Sequence, residues 1–205
     1  MKLMAIVGSP RRGGNTDVLV DQVIQGFNSR QQAEVEKFFV IDKNIKPCTG
    51  CMSCVFPSPG TGRCVIDDDM NALLARMESC DAFIFGSPNH MRTISAPLLN
   101  FLTRMLPLLT FTVRYDDQGN RIGGEMSSRI QGRKAAVVVS QGEPYFCSSL
   151  VFEVLQNNLN DFRLQQVGSI ISMGNGDKGE VARKKDELSR AFALGVHLAT
   201  VTGQT

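Results

Sequence analysis

Short apolar runs alternate along the chain with segments whose apolar residues recur at three- and four-residue spacing. The runs at 2–7, 35–41, 82–85, 135–140 and, more weakly, 165–172 predict five buried strands. The segments with helical spacing have their apolar positions at 20–27, 70–77, 98–105, 150–155 and 188–195. Alternation of strands and helices predicts an α/β domain in which helices cover both faces of a parallel sheet.

Five strands in this class favour the flavodoxin-like order 2-1-3-4-5. Strands one and three are then neighbours, and ligands bind beyond the carboxyl ends of the strands at that point. The loops expected there, residues 8–16, 86–94 and 140–146, are rich in Gly, Pro and Ser. We therefore predict a three-layer fold with its ligand site among these three loops.

One connection is too long for a simple loop of a compact domain, the segment 106–133 between the third helix and the fourth strand. Residues 110–115 and 121–122 flank the turn-forming stretch 116–120, which predicts a β-hairpin insertion. Because an isolated hairpin needs a surface to pack on, we expect it at a subunit contact. The alternative is a lid over the ligand site.

The first loop, residues 8–16, reads GSPRRGGNT and joins the first strand to the first helix. Backbone N–H groups and the helix dipole attract an anion at such a junction. A nucleoside triphosphatase loop would carry Lys and Ser or Thr where Gly14 and Asn15 stand, and a dinucleotide-binding loop would carry Gly in place of Pro10. The sequence therefore predicts a site for a terminal phosphate, with Arg11 as a cation.

The composition and net charge of the chain limit the classes of protein to which it can belong. The chain has 205 residues, of which 42% are hydrophobic, enough for a single domain with a full core. Its net charge of +2 gives no reason to expect a nucleic-acid or membrane partner, and no apolar stretch is long enough to span a bilayer. The first apolar run ends at Gly8, so we interpret it as a strand and not a signal peptide. Six Cys without a secretory signal predict a cytoplasmic protein.

Three segments resemble a known family. The loop 8–16 resembles the FMN phosphate motif of NAD(P)H-dependent FMN reductases and related flavodoxin-like flavoproteins. The stretch FGSPNHM at 85–91, together with 95–104, is similar to their isoalloxazine loop and the helix after it. The cysteine-rich segment at 48–64 is similar to the one that the iron–sulfur flavoprotein branch uses to hold a [4Fe-4S] cluster. The resemblance implies a single flavodoxin-like FMN-binding domain over 1–205, with insertions at 48–64 and 106–133.

The resemblance also implies which residues bind FMN. Those at the phosphate are Ser9, Arg11, Gly14, Asn15 and Thr16; those at the ring are Pro88, Asn89, His90 and Met91, with backbone from Ser140, Gln141 and Gly142. His90 stands where family members often carry an aromatic residue, so it either replaces ring stacking with a hydrogen bond or has no direct role. No catalytic acid or base is predicted, because the flavin carries the chemistry.

The implied activity is hydride transfer from NAD(P)H to FMN, followed by reduction of a small acceptor such as a quinone, free flavin, azo or nitro compound. A homodimer or homotetramer is implied as well. The alternative is an iron–sulfur flavoprotein that takes electrons from a ferredoxin-like donor. A flavodoxin-type carrier is disfavoured, because such carriers tend to be strongly acidic and this chain is not.

The metal-binding prediction concerns Cys48, Cys51, Cys54 and Cys64. The first three have a two-residue spacing that suits one face of a cluster, and Cys64 would be the fourth ligand after a gap of nine residues. Three interpretations stay open at this point: a [4Fe-4S] cluster, bare or redox-active thiols, and zinc.

Overall fold

The computed structural model describes residues 1–30, 32–57, 60–146 and 149–204. It contains seven strands and five α-helices within these ranges. In chain order they are β1 (Lys2–Val7), α1 (Asn15–Arg30), β2 (Glu34–Phe39), α2 (Met70–Met77), β3 (Ala82–Pro88), α3 (Ala96–Thr103), β4 (Leu109–Tyr115), β5 (Arg121–Ser128), β6 (Lys134–Ser140), α4 (Ser149–Asp161), β7 (Gln165–Ser172) and α5 (Lys185–Thr202). Short 3₁₀ turns lie at Val40–Asp42, Leu106–Leu108 and Glu180–Arg183. Nowhere in the described ranges is a helix both long and apolar enough to cross a membrane.

Five strands form one parallel sheet, which confirms the predicted α/β fold with a five-stranded sheet. One apolar core joins the sheet to α1 and α5, and a second joins it to α2, α3 and α4. The observed order β2-β1-β3-β6-β7 differs from the predicted 2-1-3-4-5. The fourth and fifth strands of the chain belong to the insertion, where they pair with each other as a separate antiparallel hairpin.

The central strands are apolar on both faces because helices cover both. Every residue of β1 after Lys2 is buried. The third strand runs three residues further than its apolar stretch predicts, because Gly86, Ser87 and Pro88 continue the pairing with β6. That extension carries the backbone of β3 directly into the ligand loop.

Helices α1 and α5 approach each other closely at two glycines. A Cβ atom on Gly195 would lie 1.9 Å from the carbonyl oxygen of Val23, and one on Gly26 would lie 2.0 Å from that of Phe192. Only residues without a side chain allow this backbone-to-backbone contact. The contact holds α1, and with it the loop before it, firmly against the sheet.

The hairpin packs on the cysteine-rich segment of its own chain. The ring of Phe111 in β4 stacks on that of Phe56, with centroids 5.9 Å apart. Arg129, which follows β5, donates hydrogen bonds of 2.9 Å to the carbonyl oxygens of Gly62 and Pro107. The hairpin therefore has a packing partner within its own chain, and the two insertions form one structural unit.

Candidate functional site

A cavity of about 240 Å³ opens at the carboxyl ends of β1, β3, β6 and β7. All of the cofactor residues predicted from the sequence line it, except Met91. The predicted loops are thus brought together at the point where the chain winds away from β1 and β3 in opposite directions, which is where ligands bind in folds of this class.

A second cavity, of about 610 Å³, adjoins the first and shares Asn89, Gln141 and Gly142 with it. Its other lining residues include Met91 and Phe146, both largely exposed. None of the residues described as lining either cavity comes from the hairpin, so the structure gives no support to the hairpin as a lid.

The first loop wraps tightly around the start of α1. Gly13 has a left-handed φ of +65°, and its N–H donates to the Asp17 carboxylate at 2.6 Å. A Cβ on Gly14 would lie 2.8 Å from the Arg11 carbonyl oxygen, so glycine is needed there. Helix α1 starts at Asn15, and its first N–H groups have no acceptor within the helix. A helix start of this kind, beside the Arg11 cation, suits a phosphate.

The Asn15 side chain is already occupied by the protein. Its Nδ2 donates to the carbonyl oxygens of Asn175 at 3.3 Å and Asp177 at 2.8 Å, and its Oδ1 accepts from the Val181 N–H at 3.0 Å. The structure therefore places this side chain as a tie between α1 and the loop after β7. Only its backbone N–H remains for an anion.

Thr16 and Ser140 are also hydrogen-bonded to each other. Their hydroxyl oxygens lie 2.7 Å apart in a buried position that joins the start of α1 to the end of β6. Each hydroxyl oxygen has further lone-pair capacity, so this contact leaves room for a ligand donor.

Sequence reasoning missed the loop after β7, where Asn175, Gly176 and Lys178 line the first cavity. Lys178 adds a second cation to Arg11. The signal that could have found this loop is the run GNGDKG at 174–179, which follows a predicted strand and has the turn chemistry of the first loop.

The loop after β3 is strained beside both cavities. Met91 and Arg92 have left-handed φ values of +50° and +67°, which cost L-residues about 1–3 kcal/mol each. The backbone N–H and carbonyl groups of His90 and Thr93 bond reciprocally at 2.9 and 3.0 Å and close a two-residue turn around them. Met91 is 97% exposed and His90 is exposed beside the first cavity.

The residues present fit FMN. Asn89 and Asn175 line the first cavity, and each has a buried Oδ1 without a hydrogen-bond partner among the described residues. Buried polar atoms are normally paired, so these two acceptors indicate a polar ligand with hydrogen-bond donors. The start of α1 with two cations suits a phosphate, and the amide groups of Asn89 and Asn175 suit other polar groups of the cofactor.

The four cysteines of the predicted metal site differ in exposure. Cys48 and Cys51 are exposed, Cys64 is partly exposed and Cys54 is buried. Burial raises the pKa of the Cys54 thiol, and the negative charges of the other three sulfurs raise it further, so all four share one neighbourhood. Across the described ranges, however, no three or more His, Cys, Asp or Glu side chains are arranged to hold a metal ion. The described side chains therefore give no evidence for zinc or for a [4Fe-4S] cluster at these sulfurs.

A buried ion pair joins residues on both sides of the cysteine-rich segment to the end of α3. Arg104, 1% exposed, donates to both carboxylate oxygens of Asp68, at 2.6 and 2.9 Å, and to the Lys46 carbonyl oxygen at 2.5 Å. Burial acts to raise the pKa of Asp68, but the hydrogen bonds from Arg104 and from the N–H groups of Lys46 and Met70 outweigh it and hold that pKa below its ordinary value.

Comparisons with known proteins identify relatives of the chain by sequence and by structure. Residues 1–157 match the family described as NADPH-dependent FMN reductase. The chain is 33% identical over 141 residues to an iron-sulfur flavoprotein of Methanocaldococcus jannaschii, covering 67% of this chain and 68% of that one. It is 37% identical over 107 residues to an iron-sulfur flavoprotein of Archaeoglobus fulgidus, covering 52% of this chain and only 46% of that relative.

Solved structures share the fold. The NAD(P)H:quinone oxidoreductase from Methanothermobacter marburgensis superimposes with a TM-score of 0.71 at 18% identity, over 97% of this chain and 98% of that one. At this level of identity the similarity shows the fold alone.

Proposed function

Because the chain belongs to the NADPH-dependent FMN reductase family, we propose that it binds FMN in the cavity at the ends of β1, β3, β6 and β7 and passes electrons from NAD(P)H to a small acceptor. The observation that carries the proposal is the cavity itself. It combines the start of α1 with two cations and with two unpaired amide oxygens.

Different parts of the cavity lining would bind different parts of FMN. The N–H groups at the start of α1, with Arg11 and Lys178, would hold the phosphate dianion. The amides of Asn89 and Asn175 would meet the polar groups of the cofactor, and Pro88 and Gly142 would exclude water from it. When bound, FMN supplies the hydride and electron steps.

The second cavity supports a flat acceptor. Met91, Phe146 and Leu150 expose apolar surface to it, while Asn89 and Gln141 connect it to the first cavity. An apolar pocket beside a flavin site suits quinones and aromatic azo or nitro compounds, which are planar and mostly apolar.

Anaerobic titration of purified protein tests the proposal. We expect one FMN bound per chain, bleaching of its visible band by NADH or NADPH, and recovery of the band when a quinone is added. Lys178→Ala should weaken FMN binding about tenfold through loss of a charge-assisted contact, whereas Lys185→Ala, outside the lining of the cavity, should not. A chain that binds no FMN, or whose FMN is not reduced by either nucleotide, would contradict the proposal.

A second candidate is an iron–sulfur flavoprotein, which the names of two relatives and the shared neighbourhood of the four cysteines favour. No described group of side chains is arranged around a metal ion, and the family model that matches the chain is that of the reductases, so the reductase is preferred. Anaerobic purification followed by iron and sulfide assays decides between them. Four irons and four sulfides per chain would support the second candidate, and their absence together with nucleotide-driven bleaching would support the first.

We also propose that the protein works as a homo-oligomer. The support is a group of exposed apolar side chains beside the second cavity, which we call the cavity rim. Its members are Met91, Tyr145, Phe146 and Leu150. A second copy covering the rim would bury this surface and exclude water from the site.

A further inference from the structure

We infer that Gln141 is a positioning residue that sets the polarity of the Asn89 amide, so that the cavity offers the Asn89 Oδ1 acceptor to an N–H group of the bound ligand. The inference rests on the proposed function, because the ligand it concerns is FMN. It adds a specificity element: the cavity selects a ring whose edge carries a hydrogen-bond donor.

The orientation of the Gln141 side chain is determined by its surroundings. Gln141 is 4% exposed, and its Nε2 donates to the carbonyl oxygens of Glu143 at 2.7 Å and Phe146 at 2.6 Å. Carbonyl oxygens only accept, so a flipped amide would set the Gln141 oxygen against both of them. The backbone of Gln141 is held as well, because its N–H donates to Ser172 at 2.8 Å and its carbonyl accepts from Asn175 at 3.0 Å.

The fixed Gln141 amide determines the Asn89 amide in turn. Because Nε2 of Gln141 is used by the two carbonyls, its Oε1 is the atom left for Asn89, which donates to it from Nδ2 at 3.1 Å. The other end of the Asn89 amide must then be the oxygen. This Oδ1 is buried and lacks a hydrogen-bond partner among the described residues, in a residue that lines both cavities.

An acceptor held in this way calls for a donor on the ligand. The oxidised isoalloxazine ring has a single N–H group, at N3, and its other polar edge atoms are acceptors. An unflipped Asn89 therefore favours the N3–H group and disfavours a ring in which N3 is blocked. Leaving a buried acceptor unpaired costs about tenfold or more in affinity, where tenfold corresponds to about 1.4 kcal/mol.

The test compares FMN with N3-methyl-FMN. Dissociation constants of both flavins, measured by quenching of flavin fluorescence with apoprotein, give a discrimination ratio for each variant. We expect wild-type protein to prefer FMN by at least tenfold. Asn89→Ala, which removes the acceptor, and Gln141→Met, which releases the Asn89 amide to flip, should both bring the ratio close to one. Gln118→Met, the same change at the exposed tip of the hairpin, should leave the ratio at its wild-type value.

The ratio separates positioning from a merely structural role. If Gln141 only held the loops together, Gln141→Met would weaken both flavins equally and keep the ratio, which would overturn the inference. A wild-type ratio near one would overturn it too. If Gln141→Met fails to fold, Asn89→Ala still tests whether the Asn89 Oδ1 acceptor causes the discrimination between the two flavins. If wild-type protein binds neither flavin, the proposed function fails and the inference with it, whereas binding of FMN without discrimination overturns the inference alone.

Discussion

At the scale of single residues, the turn at Met91 and Arg92 lowers the stability of the fold beside the ligand cavities. Two-residue turns with two left-handed positions strongly favour Asn-Gly. We predict that the double variant Met91→Asn, Arg92→Gly raises the free energy of unfolding by about 1–2 kcal/mol, because it relieves two strained φ angles. Urea denaturation of the FMN-free protein measures this.

A matched control for the turn is the double variant Met91→Ala, Arg92→Ala. It removes the same side chains but places Ala, which tolerates a left-handed φ poorly, at both positions, and so keeps the strain. No gain in the free energy of unfolding is expected from it. Equal stability of the two double variants would show that the turn stores no strain.

A second prediction at this scale concerns the stability that the buried Cys80 thiol causes the protein to lose at alkaline pH. Burial raises its pKa to about 11, from an ordinary value of 9.0. A pKa that folding raises gives a stabilising contribution that is complete below pH 9 and is lost as the pH rises towards 11. Between pH 8 and pH 11 we expect wild-type protein to lose about 2 kcal/mol more free energy of unfolding than Cys80→Ala. Urea denaturation at both pH values measures this, and parallel pH profiles would contradict it.

A third prediction concerns the buried ion pair of Arg104 and Asp68. Removing one member of such a pair leaves a buried charge uncompensated, so Asp68→Asn should lower the free energy of unfolding by about 3–5 kcal/mol at pH 7. Asp67→Asn, at the exposed neighbouring position, should change it by less than about 0.5 kcal/mol. Urea denaturation of both variants measures the difference.

The same pair predicts the acid response. The pKa of Asp68 is held below its ordinary value of 3.8 in the folded protein, so its contribution is present above that value and is lost as the pH falls through the folded pKa. The difference in stability between wild type and Asp68→Asn should therefore shrink as the pH falls below 3.8. A difference that stays constant down to pH 2 would show that the ion pair is not its source.

At the scale of elements, the spacing of apolar residues predicted the strands and helices that are buried in the core. It could not predict features that depend on hydrogen bonds between distant parts of the chain. The three central strands β1, β3 and β6 carry apolar runs because helices cover both faces of the sheet, whereas the edge strands β2 and β7 are more polar. The extension of β3 to Pro88 depends on pairing with β6, which no local pattern encodes. The role of Asn15 likewise depends on the loop after β7, about 160 residues away along the chain. Sequence spacing could place Asn15 beside the site but could not show that its side chain was already taken.

The glycine contact between α1 and α5 gives an element-scale prediction in which two effects have opposite signs. Helix propensity alone would make Gly195→Ala stabilising by about 1 kcal/mol. The added Cβ would lie 1.9 Å from the Val23 carbonyl oxygen, so the helices must separate, and we expect a net loss of about 3 kcal/mol or more. Ser189→Ala, on the exposed face of α5, reports propensity without the clash. Thermal unfolding of the two variants side by side gives the answer, and a stabilised Gly195→Ala would disprove the contact.

At the scale of the whole molecule, the two insertions leave the ligand cavities uncovered. The hairpin packs on the cysteine-rich segment through Phe111 and Arg129, and Tyr115 and Ile122 near its tip are exposed. The cavity rim is a separate exposed apolar surface. The molecule therefore offers two surfaces on which a second copy could bind, and only one of them borders the proposed active site.

The rim is the surface that we expect a second copy to cover, because contact there also shields the flavin from water. Light scattering should give wild-type protein a mass at least twice that of one chain. Leu150→Glu, which places a charge in the rim, should yield monomers that still bind FMN, since Leu150 does not line the first cavity. Ile122→Glu, at an exposed position near the tip of the hairpin, should leave the oligomer intact. If instead Ile122→Glu gives monomers and Leu150→Glu does not, the hairpin is the subunit contact. A monomeric wild-type protein would mean that each chain closes its site without a partner.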